Sequence, residues 1–435
     1  MDIIKFNPEK KLGAFKPLNA TNGGPWHKRH TQNQSRSNME AYKAARIPYT
    51  RNHDSNFHSI YFGPYVHDIS AIFPNFDADV NDPASYDFEC TDEQILIALE
   101  AGTQTFFRLG QSIEHTVKKH FTVPPKDFQK WAEICEHIIL HYNEGWANGY
   151  KLNMIYWEIW NEPDLRCDEP DKPTWGGSQE EFWDFFEVAA KHLKKKFPHL
   201  KIGGPALCGR MYWADAFLSE MQKRQVPMDF FSWHRYAKDP MIITQRAYET
   251  KEMLEKYGYG DVESHLNEWN YVRGWVDDFQ YSVDSIHSLK GASFLMACIC
   301  EGQKAPVDMM MYYDTRPSAF NGVFDIYTMQ PLKGYYAFYW YGMFYDMECE
   351  IREEAKVDEV YTLCGLDKNG KTMTIVTYFN EDDNAPAKEI AFDFGRPGKY
   401  EIYKLDNDND GTLIGTTEDL TFTLGNYEAL MIREI

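Results

Sequence analysis

The chain has 435 residues, of which 43% are hydrophobic and 16% aromatic, and its formal net charge is −21. This length permits a large core and two domains, and the sequence holds no apolar run long enough to span a membrane. The strong negative charge excludes nucleic acids and anionic membrane surfaces as expected partners and favours a neutral or cationic small molecule.

Strand and helix patterns alternate over most of the chain. The candidate strands are 12–18, 47–52, 103–109, 153–160, 201–205, 228–234, 261–268 and 306–313. Between most of them lie helical patterns, such as the apolar positions from Phe128 to Tyr142 and the capping box of Ser178 and Glu181. Eight strands with crossover helices predict an α/β fold, a (β/α)8 TIM barrel, over residues 1–348.

One connection, residues 53–90, is unusually long for a compact domain and is rich in Asp, Phe, Asn and Pro. A loop of this length is usually functional or disordered, and its aromatic side chains argue against disorder. We expect it to form one wall of a pocket. The aromatic residues that carry this expectation are Phe57, Tyr61, Phe62, Tyr65 and Phe73.

After about residue 350 the pattern changes to short alternating strands. Residues 360–366 and 372–379 flank the turn Lys368-Asn369-Gly370-Lys371, and more short strands follow. A turn containing Asn-Gly between alternating segments is a strong hairpin signal. Residues 349–435 are therefore predicted to form a C-terminal β-sandwich.

Two glutamates stand at the ends of predicted strands. An apolar strand runs into Asn161-Glu162-Pro163, where the proline stops it, and a second strand ends at Asn267-Glu268-Trp269. In a barrel, strand ends meet at the face where enzymes work. Two carboxylates about 5 Å apart are what a retaining glycosidase needs as proton donor and nucleophile.

An ordered set of motifs resembles glycoside hydrolase family 39, whose members are retaining (β/α)8 glycosidases. The set comprises Tyr49-Thr50-Arg51-Asn52-His53, 123–131, 157–163, 202–206, 229–236 and 267–270. The resemblance implies that Glu162 on strand four is the acid/base and Glu268 on strand seven the nucleophile. It also implies that His53, Asn161, His234 and Tyr236 line the sugar subsite, and that no cofactor is needed.

Elementary chemistry agrees with these roles. Asn161 can donate to a sugar 2-hydroxyl, a bond that strengthens in the transition state. His234 and Tyr236 lie two apart on one strand and share a face, and Tyr236 can donate to Glu268 and keep it ionised. Glu162 must hold its proton, which a less polar setting favours.

Two positions depart from the family pattern. Tyr313 stands at the end of strand eight, where xylosidases of the family tend to carry Trp. Arg108 opens a polar segment after strand three that is apolar in the family. Both are expected to contact substrate at the pocket floor, and they leave the identity of the sugar open.

The function expected from the sequence is an exo-acting retaining glycosidase on an oligosaccharide or small glycoside, with β-xylosidase as the first choice. Arabinosyl, galactosyl or glucosyl linkages are the alternatives, and the rival class is a sugar-binding barrel without catalysis. The histidines show no metal-ligand spacing, so neither metal nor cofactor is predicted. Eight cysteines without framework spacing and the absence of a signal segment favour the cytoplasm. A homo-oligomer is compatible with the sequence.

Overall fold

The computed structural model describes residues 2–27, 36–53 and 65–435. It contains a closed barrel of eight parallel strands and a mixed sheet of nine strands. The predicted (β/α)8 barrel is therefore confirmed, and a β-rich unit accompanies it. Three aromatic residues of the long connection, Phe57, Tyr61 and Phe62, lie outside the described residues.

The barrel strands follow the chain in order around the barrel, and the last closes against the first. The first described strand, β1 (Asp2–Lys11), belongs to the other sheet. The barrel strands are β2 (Ala20–Asn22), β3 (Tyr49–Arg51), β4 (Gln104–Leu109), β5 (Tyr156–Ile159), β6 (Lys201–Leu207), β7 (Phe230–Ala237), β8 (Glu263–Tyr271) and β9 (Met309–Tyr312).

Seven of these strands overlap the predicted ones, but the prediction of a first barrel strand at 12–18 is wrong. The first barrel strand is β2. Thr21 and Asn22 within it, and Asn19 just before it, are polar residues that are fully buried. A strand whose buried side chains are polar gives no apolar signal. Hydrogen bonds satisfy these side chains: Asn22 donates to Asn267 O at 2.8 Å, and Thr21 bonds the hydroxyl of Tyr42 on α1 at 2.8 Å.

The helices lie mainly between the barrel strands. They are α1 (Met39–Ala44), α2 (Ile69–Ile72), α3 (Glu89–Glu100), α4 (Phe128–Asn143), α5 (Gln179–Lys196), α6 (Met211–Lys223), α7 (Pro240–Lys256), α8 (Phe279–Ile286), α9 (Leu289–Lys304) and α10 (Lys333–Met343). Short 3-10 turns are Pro83–Ser85, Trp146–Asn148 and Phe344–Asp346. Among the described residues no helix is both long and apolar enough to cross a membrane.

Local signals explain where two of these helices begin. The capping box at α5 is confirmed, with Glu181 N donating to Ser178 Oγ at 3.1 Å and Ser178 N donating to Glu181 Oε2 at 2.7 Å. At α4 the cap is Asp127, whose carboxylate accepts from Lys130 N at 3.0 Å. The helix therefore starts at Phe128, three residues after the Pro124-Pro125 pair.

The second sheet contains one strand that precedes the barrel in the sequence, β1, and eight strands that follow it. Its remaining strands are β10 (Cys349–Glu353), β11 (Val360–Leu366), β12 (Thr372–Tyr378), β13 (Lys388–Asp393), β14 (Tyr400–Leu405), β15 (Asp410–Thr417), β16 (Thr421–Leu424) and β17 (Ala429–Glu434). Their order is β15-β14-β17-β12-β11-β10-β1-β13-β16. Ile402 of β14 and Phe422 of β16, near opposite ends of this order, line one cavity. The sheet therefore curls around a core of its own.

The predicted division after residue 348 stays a prediction, but strand pairing adds one fact to it. Residues 2–11, which that division assigns to the barrel, lie between β10 and β13. β1 pairs antiparallel with β10 through Phe6 and Glu353, and parallel with β13 through Ile4 and Phe392. The sheet is complete only when the segment before the barrel is included.

A buried lysine joins the barrel to the sheet. Lys290, in the first turn of α9, has a side chain that is 5% exposed and lies within about 3 Å of Glu381 and Asp383. Tyr271, at the end of β8, donates to Glu381 Oε1 at 2.9 Å, and Tyr281 donates to Asp383 Oδ2 at 2.7 Å. Burial alone would lower the pKa of Lys290, but these hydrogen-bonding partners outweigh burial and raise it.

Lys290→Met is expected to lower the free energy of unfolding by about 2–3 kcal/mol, because it removes the buried cation from Asp383 and Glu381. Among the described residues only Glu381 has a second cation nearby, Arg273 at 3.8 Å. Urea unfolding followed by circular dichroism measures the loss. Lys223→Met is the control: its side chain is 64% exposed beside Glu220, and its loss is expected to cost at most about 0.5 kcal/mol. Equal losses in the two variants would contradict the structural role of Lys290.

The same cluster predicts a pH dependence. Burial would raise the pKa of Asp383, but hydrogen bonds from Tyr427, Tyr281 and Lys290 outweigh it and lower the pKa to about 2. A depressed carboxyl pKa adds stability that is present above the unfolded pKa, near 4, and is lost as pH falls toward 2. The stability difference between the protein and its Lys290→Met variant should therefore shrink over that interval.

Candidate active site

Alternate residues of the barrel strands build layers inside the barrel. On β7 the series is Phe230, Ser232, His234 and Tyr236, two residues apart as the strand period requires. Phe230 packs with Phe106 in an apolar layer, with ring centroids 5.2 Å apart. Ser232 lies in a polar layer above it, and His234 and Tyr236 reach the C-terminal end of the barrel.

The polar layer is organised by Arg51, which is fully buried at the end of β3. Its Nε donates to Glu158 Oε2 at 2.7 Å, and its Nη1 donates to Glu268 Oε1 at 2.8 Å. Its Nη2 donates to Asn161 Oδ1 at 2.7 Å, and Nη1 also reaches Asn22 Oδ1 at 3.3 Å. One guanidinium thus fixes residues from three other strands.

Charge balance keeps this layer stable. Burial alone would lower the pKa of Arg51, but Glu158 and Glu268 outweigh burial and raise it, so the guanidinium stays charged. Glu158 Oε1 also accepts hydrogen bonds from Ser232 Oγ at 2.6 Å and from Asn267 Nδ2. A buried carboxylate with these partners is satisfied, as a buried charge must be.

Glu162 lies just beyond β5 on a tightly held backbone. Its N donates to Ala206 O at 2.9 Å, and its own carbonyl accepts from Thr174 Oγ1. Trp160 has φ 73° and Glu162 has φ 46°, which are unusual for residues with side chains. Such backbone is retained where surrounding structure holds it, often at functional sites. It turns the Glu162 side chain toward the barrel axis.

Glu268 reaches the same space through a bulge in β8. Trp233 pairs with Leu266 and His234 pairs with Glu268, so Asn267 is an extra residue relative to β7. In a regular strand, Asn267 and Glu268 would point to opposite faces. The bulge lets both face the interior, with Asn267 hydrogen-bonded to Glu158 and Glu268 to Arg51.

The two predicted catalytic carboxylates lie close together with an imidazole between them. Glu162, His234 and Glu268 offer ligand atoms that all lie within 4.8 Å of one another. His234 Nδ1 is 2.7 Å from Glu162 Oε1 and 3.5 Å from Glu268 Oε2. Burial lowers the pKa of His234, with Glu268 acting against it, so the ring is neutral near pH 7.

Tyr236 donates a hydrogen bond to Glu268 Oε2 at 3.0 Å, as predicted from its position on the strand. Burial raises the pKa of Tyr236 well above its usual range, and the charge of Glu268 raises it further. The hydroxyl therefore stays protonated and remains a donor. Together with Arg51 it gives each oxygen of Glu268 one charge-stabilising hydrogen bond.

Tyr236→Phe is expected to lower kcat by about 10- to 100-fold on a glycoside substrate, since it removes one hydrogen bond to a charged group. Tyr259→Phe is the matched control. Tyr259 lies in the loop before β8, and among the described residues its hydroxyl bonds only the backbone oxygen of Val226. Steady-state kinetics of both variants decide the matter. Unchanged kcat in Tyr236→Phe would remove Tyr236 from the site.

Asn161 presents one amide hydrogen-bond donor to the site. Its Oδ1 accepts from Arg51, which fixes the orientation of the amide. Its Nδ2 is buried and has no hydrogen-bond partner among the described residues. A buried donor without a partner at the end of β5 fits the predicted bond to a sugar hydroxyl.

The remaining predicted residues lie around this centre at different distances. His53 Nε2 is 3.9 Å from Glu268 Oε1. Arg108 lies behind His53 and donates to its Nδ1 at 3.2 Å, so it contacts the histidine and neither of the two glutamates. Tyr313 packs its ring 6.3 Å from that of Tyr236 and accepts from Arg316 Nη2 at 2.8 Å.

Glu162, His234 and Glu268 also have the composition of a metal site, two carboxylates and an imidazole. The guanidinium of Arg51 lies 2.8 Å from Glu268, however, and opposes a second cation at the same place. The arrangement suits proton transfer and nucleophilic attack better than metal coordination. The prediction that no metal or cofactor is needed stays a prediction.

Two buried residues that organise the candidate site were not predicted from the sequence. Arg51 stands in the quoted motif before His53, and Glu158 stands in the strand that leads to Glu162. The available signal was a charged residue in each of two strands that were predicted to be buried, which requires a partner. Their separation of 107 residues gave no local hint that they are partners.

The chain is similar to known proteins in sequence and in fold. Residues 3–282 match the family described as "Glycosyl hydrolases family 39". A β-xylosidase of Geobacillus stearothermophilus is 31% identical over 181 residues, which are 41% of this chain and 32% of the relative. The match thus spans about a third of that relative's length.

Solved structures show the same fold at low identity. A glucosidase of Croceicoccus marinus has a TM-score of 0.78 at 20% identity, with 100% of this chain and 99% of that chain covered. A monomeric β-xylosidase of Caulobacter crescentus CB15 has a TM-score of 0.73 at 15% identity, with 100% and 99% covered.

Proposed function

Since this chain belongs to glycoside hydrolase family 39, as its motifs predicted, we propose that it is a retaining exo-glycosidase and most specifically a β-xylosidase. The observation that carries the proposal is the pair Glu162 and Glu268, whose carboxylate oxygens approach within 4.8 Å. Retaining enzymes hold their carboxylates about 5–5.5 Å apart, whereas inverting enzymes leave about 6.5–9.5 Å for a water.

In the proposed reaction Glu162 and Glu268 have different roles. Glu162 donates its proton to the glycosidic oxygen while Glu268 attacks the anomeric carbon, so that the C–O bond to the leaving group breaks as a glycosyl–Glu268 ester forms. Glu162, now a carboxylate, takes a proton from water, whose oxygen attacks the anomeric carbon and releases Glu268. The sugar leaves with its original anomeric configuration after two inversions.

The neighbouring residues support each step. Arg51 and Tyr236 donate to the two oxygens of Glu268 and keep it available as a carboxylate nucleophile. Asn161 Nδ2 provides a buried donor for a hydroxyl of the sugar. His234, held 2.7 Å from Glu162, orients the acid/base carboxyl. In this proposal the sugar binds between Glu162 and Glu268.

The choice of β-xylosidase rests on the relatives. The Geobacillus stearothermophilus protein and a second one, 29% identical over 165 residues, are both β-xylosidases. A panel of aryl glycosides that differ only in the sugar tests it: the highest kcat/KM is expected on the β-xyloside. A higher kcat/KM on an arabinoside, galactoside or glucoside would mean that this sugar, and not xylose, is the preferred substrate.

A separate experiment tests the retaining mechanism. NMR of the first-formed product gives its anomeric configuration, and an inverted anomer would contradict the mechanism.

Attack at chain ends is the further part of the proposal, and the long connection supports it. Ile69 N donates to Gly110 O at 3.0 Å, and Asp68 accepts from Arg108 at 2.6 Å, so this segment lies on the end of β4. Phe73, 3% exposed, is an anchor that packs against Tyr86. Part of the connection also lines a cavity of about 290 Å³ beside Trp160. Its position over the end of β4, near Trp160, supports the proposal that this segment forms one wall of the site.

Product analysis on a xylo-oligosaccharide should therefore show monosaccharide from the first time point. A pocket admits one end of a chain, whereas an open cleft admits its middle. Early accumulation of fragments of intermediate length would mean internal cleavage, and the connection would then have another role.

A further inference from the structure

Arg108 is a buried cation one step behind the catalytic centre, and the structure holds it firmly. Its side chain is fully buried at the end of β4. Its Nη2 donates to Asp68 Oδ1 at 2.6 Å and to Ser112 Oγ at 3.1 Å, and its backbone N donates to Asn52 Oδ1 at 2.8 Å. A guanidinium fixed at both its backbone and its tip has little freedom to reorient.

The fixed guanidinium points its Nε–H at His53. The distance from Arg108 Nε to His53 Nδ1 is 3.2 Å. Arginine has donors and no acceptor, so His53 Nδ1 must present its lone pair to this bond. In a neutral imidazole the single proton then resides on Nε2. Arg108 therefore selects one of the two tautomers of His53.

The surroundings of His53 keep its ring neutral. Burial lowers its pKa well below the usual range, and the nearby cations lower it further. The charged and titratable groups that face it include Arg51 on β3, Arg108 on β4, His67 in the long connection, His234 on β7 and Glu268 on β8. The nearest oxygen of Glu268 is bonded to Arg51.

The selected proton points toward the reacting centre. His53 Nε2 lies 3.9 Å from Glu268 Oε1, which is beyond hydrogen-bond length. A hydroxyl placed between these atoms can accept from Nε2–H and donate to Oε1. With the opposite tautomer His53 would offer a lone pair here, and the hydroxyl would face two acceptors while having one proton to give.

We propose that Arg108 is a positioning residue that holds His53 as the Nε2–H tautomer, so that His53 donates a hydrogen bond to a sugar hydroxyl beside Glu268. The substrate part of this inference rests on the proposed glycosidase function. The tautomer itself is a property of the free protein and stands apart from turnover. Asp68 completes the arrangement, because its carboxylate also accepts from Ser112 N at 2.9 Å and Tyr65 N at 3.0 Å. The position of the long connection and the tautomer of His53 are thus linked.

The test uses two variants that differ by one donor. In Arg108→Gln the amide nitrogen is attached to Cδ, as Nε is in arginine, so a donor to His53 is kept without the charge. In Arg108→Met the corresponding position is a methyl group, and the donor is lost. Arg246→Met is the control for loss of a part-buried arginine elsewhere, since Arg246 bonds Glu249 and Gly209 O.

The first readout is the tautomer, measured by long-range proton–nitrogen NMR on protein labelled with ¹⁵N-histidine, with His53 assigned from a His53→Gln variant. The wild type, Arg108→Gln and Arg246→Met should show an unprotonated Nδ1 and a protonated Nε2. Arg108→Met should show a mixture of the two tautomers. His53 should titrate at higher pH in both Arg108 variants, because both lack the cation. A protonated Nδ1 in the wild type would overturn the proposal, even if no variant folds.

The second readout is kinetic. Arg108→Met is expected to lower kcat/KM by about tenfold, as loss of one hydrogen bond to the sugar would. Arg108→Gln should recover most of this loss, whereas the acid limb of the profile should move to higher pH in both variants, because both lack the cation that lowers the pKa of His53. Equal losses in the Met and Gln variants would contradict the role of the donor. Wild-type protein with the predicted NMR signals and no turnover would instead refute the glycosidase function.

Discussion

Glu268→Ala is expected to abolish turnover, lowering kcat by a factor on the order of 10⁴ or more. Without its carboxylate no glycosyl-enzyme can form, although Glu162 can still act as a base. Added azide should restore cleavage by occupying the space of the lost side chain, and the glycosyl azide should have inverted configuration. The product anomer is read by NMR.

Glu263→Ala is the control on the same strand. Its carboxylate lies at the opposite end of β8, beside His265 and Lys201, and does not contact the site. We expect normal turnover from this variant. A glycosyl azide of retained configuration from Glu268→Ala would exclude Glu268 as the nucleophile.

The second large effect is expected at Glu162. Glu162→Gln should slow glycosides with basic leaving groups by about 10²–10⁴-fold, because these need a proton as the C–O bond breaks. Aryl glycosides with strongly acidic phenols should lose much less in the first step. The alkaline limb of the kcat/KM profile, which reports proton loss from the acid, should disappear.

Glu169→Gln serves as the matched control. Glu169 lies in the loop after Glu162, and within the described ranges its carboxylate bonds only Arg166, in an exposed pair. Pre-steady-state rates with a dinitrophenyl and an alkyl glycoside separate the two steps. Equal losses on both substrates would contradict the assignment of Glu162 as the acid.

Much of the fold, and the placement of Glu162 and Glu268 at the ends of barrel strands, could be predicted because the signals are local. Asn161-Glu162-Pro163 marks a strand end in three residues, and the capping box at Ser178 marks a helix start in four. Tyr236 follows His234 by the strand period, which predicted that both face the same side. Such signals depend on neighbours in sequence, and the structure retains them.

What could not be predicted depends on distant partners. β2 was missed because its polar residues are satisfied by partners distant in sequence, as when Asn22 donates to Asn267 O at 2.8 Å and Thr21 bonds the hydroxyl of Tyr42 on α1 at 2.8 Å. Arg51 and Glu158 were missed for the same reason. The bulge at Asn267 is visible only against the register of β7. The contact between Arg108 and His53 could not be predicted either, because Asp68, which holds the guanidinium in place, lies 40 residues away in the sequence.

The position of β1 bears on how the protein is made. β1 is synthesised before the barrel, yet both strands that flank it, β10 and β13, are synthesised after the barrel. The ribosome releases residues in order, and a unit folds once all its strands have emerged. The barrel can therefore close before β1 has its neighbouring strands. Glu162 and Glu268, the proposed catalytic carboxylates, can come together before the contacts at Lys290 form.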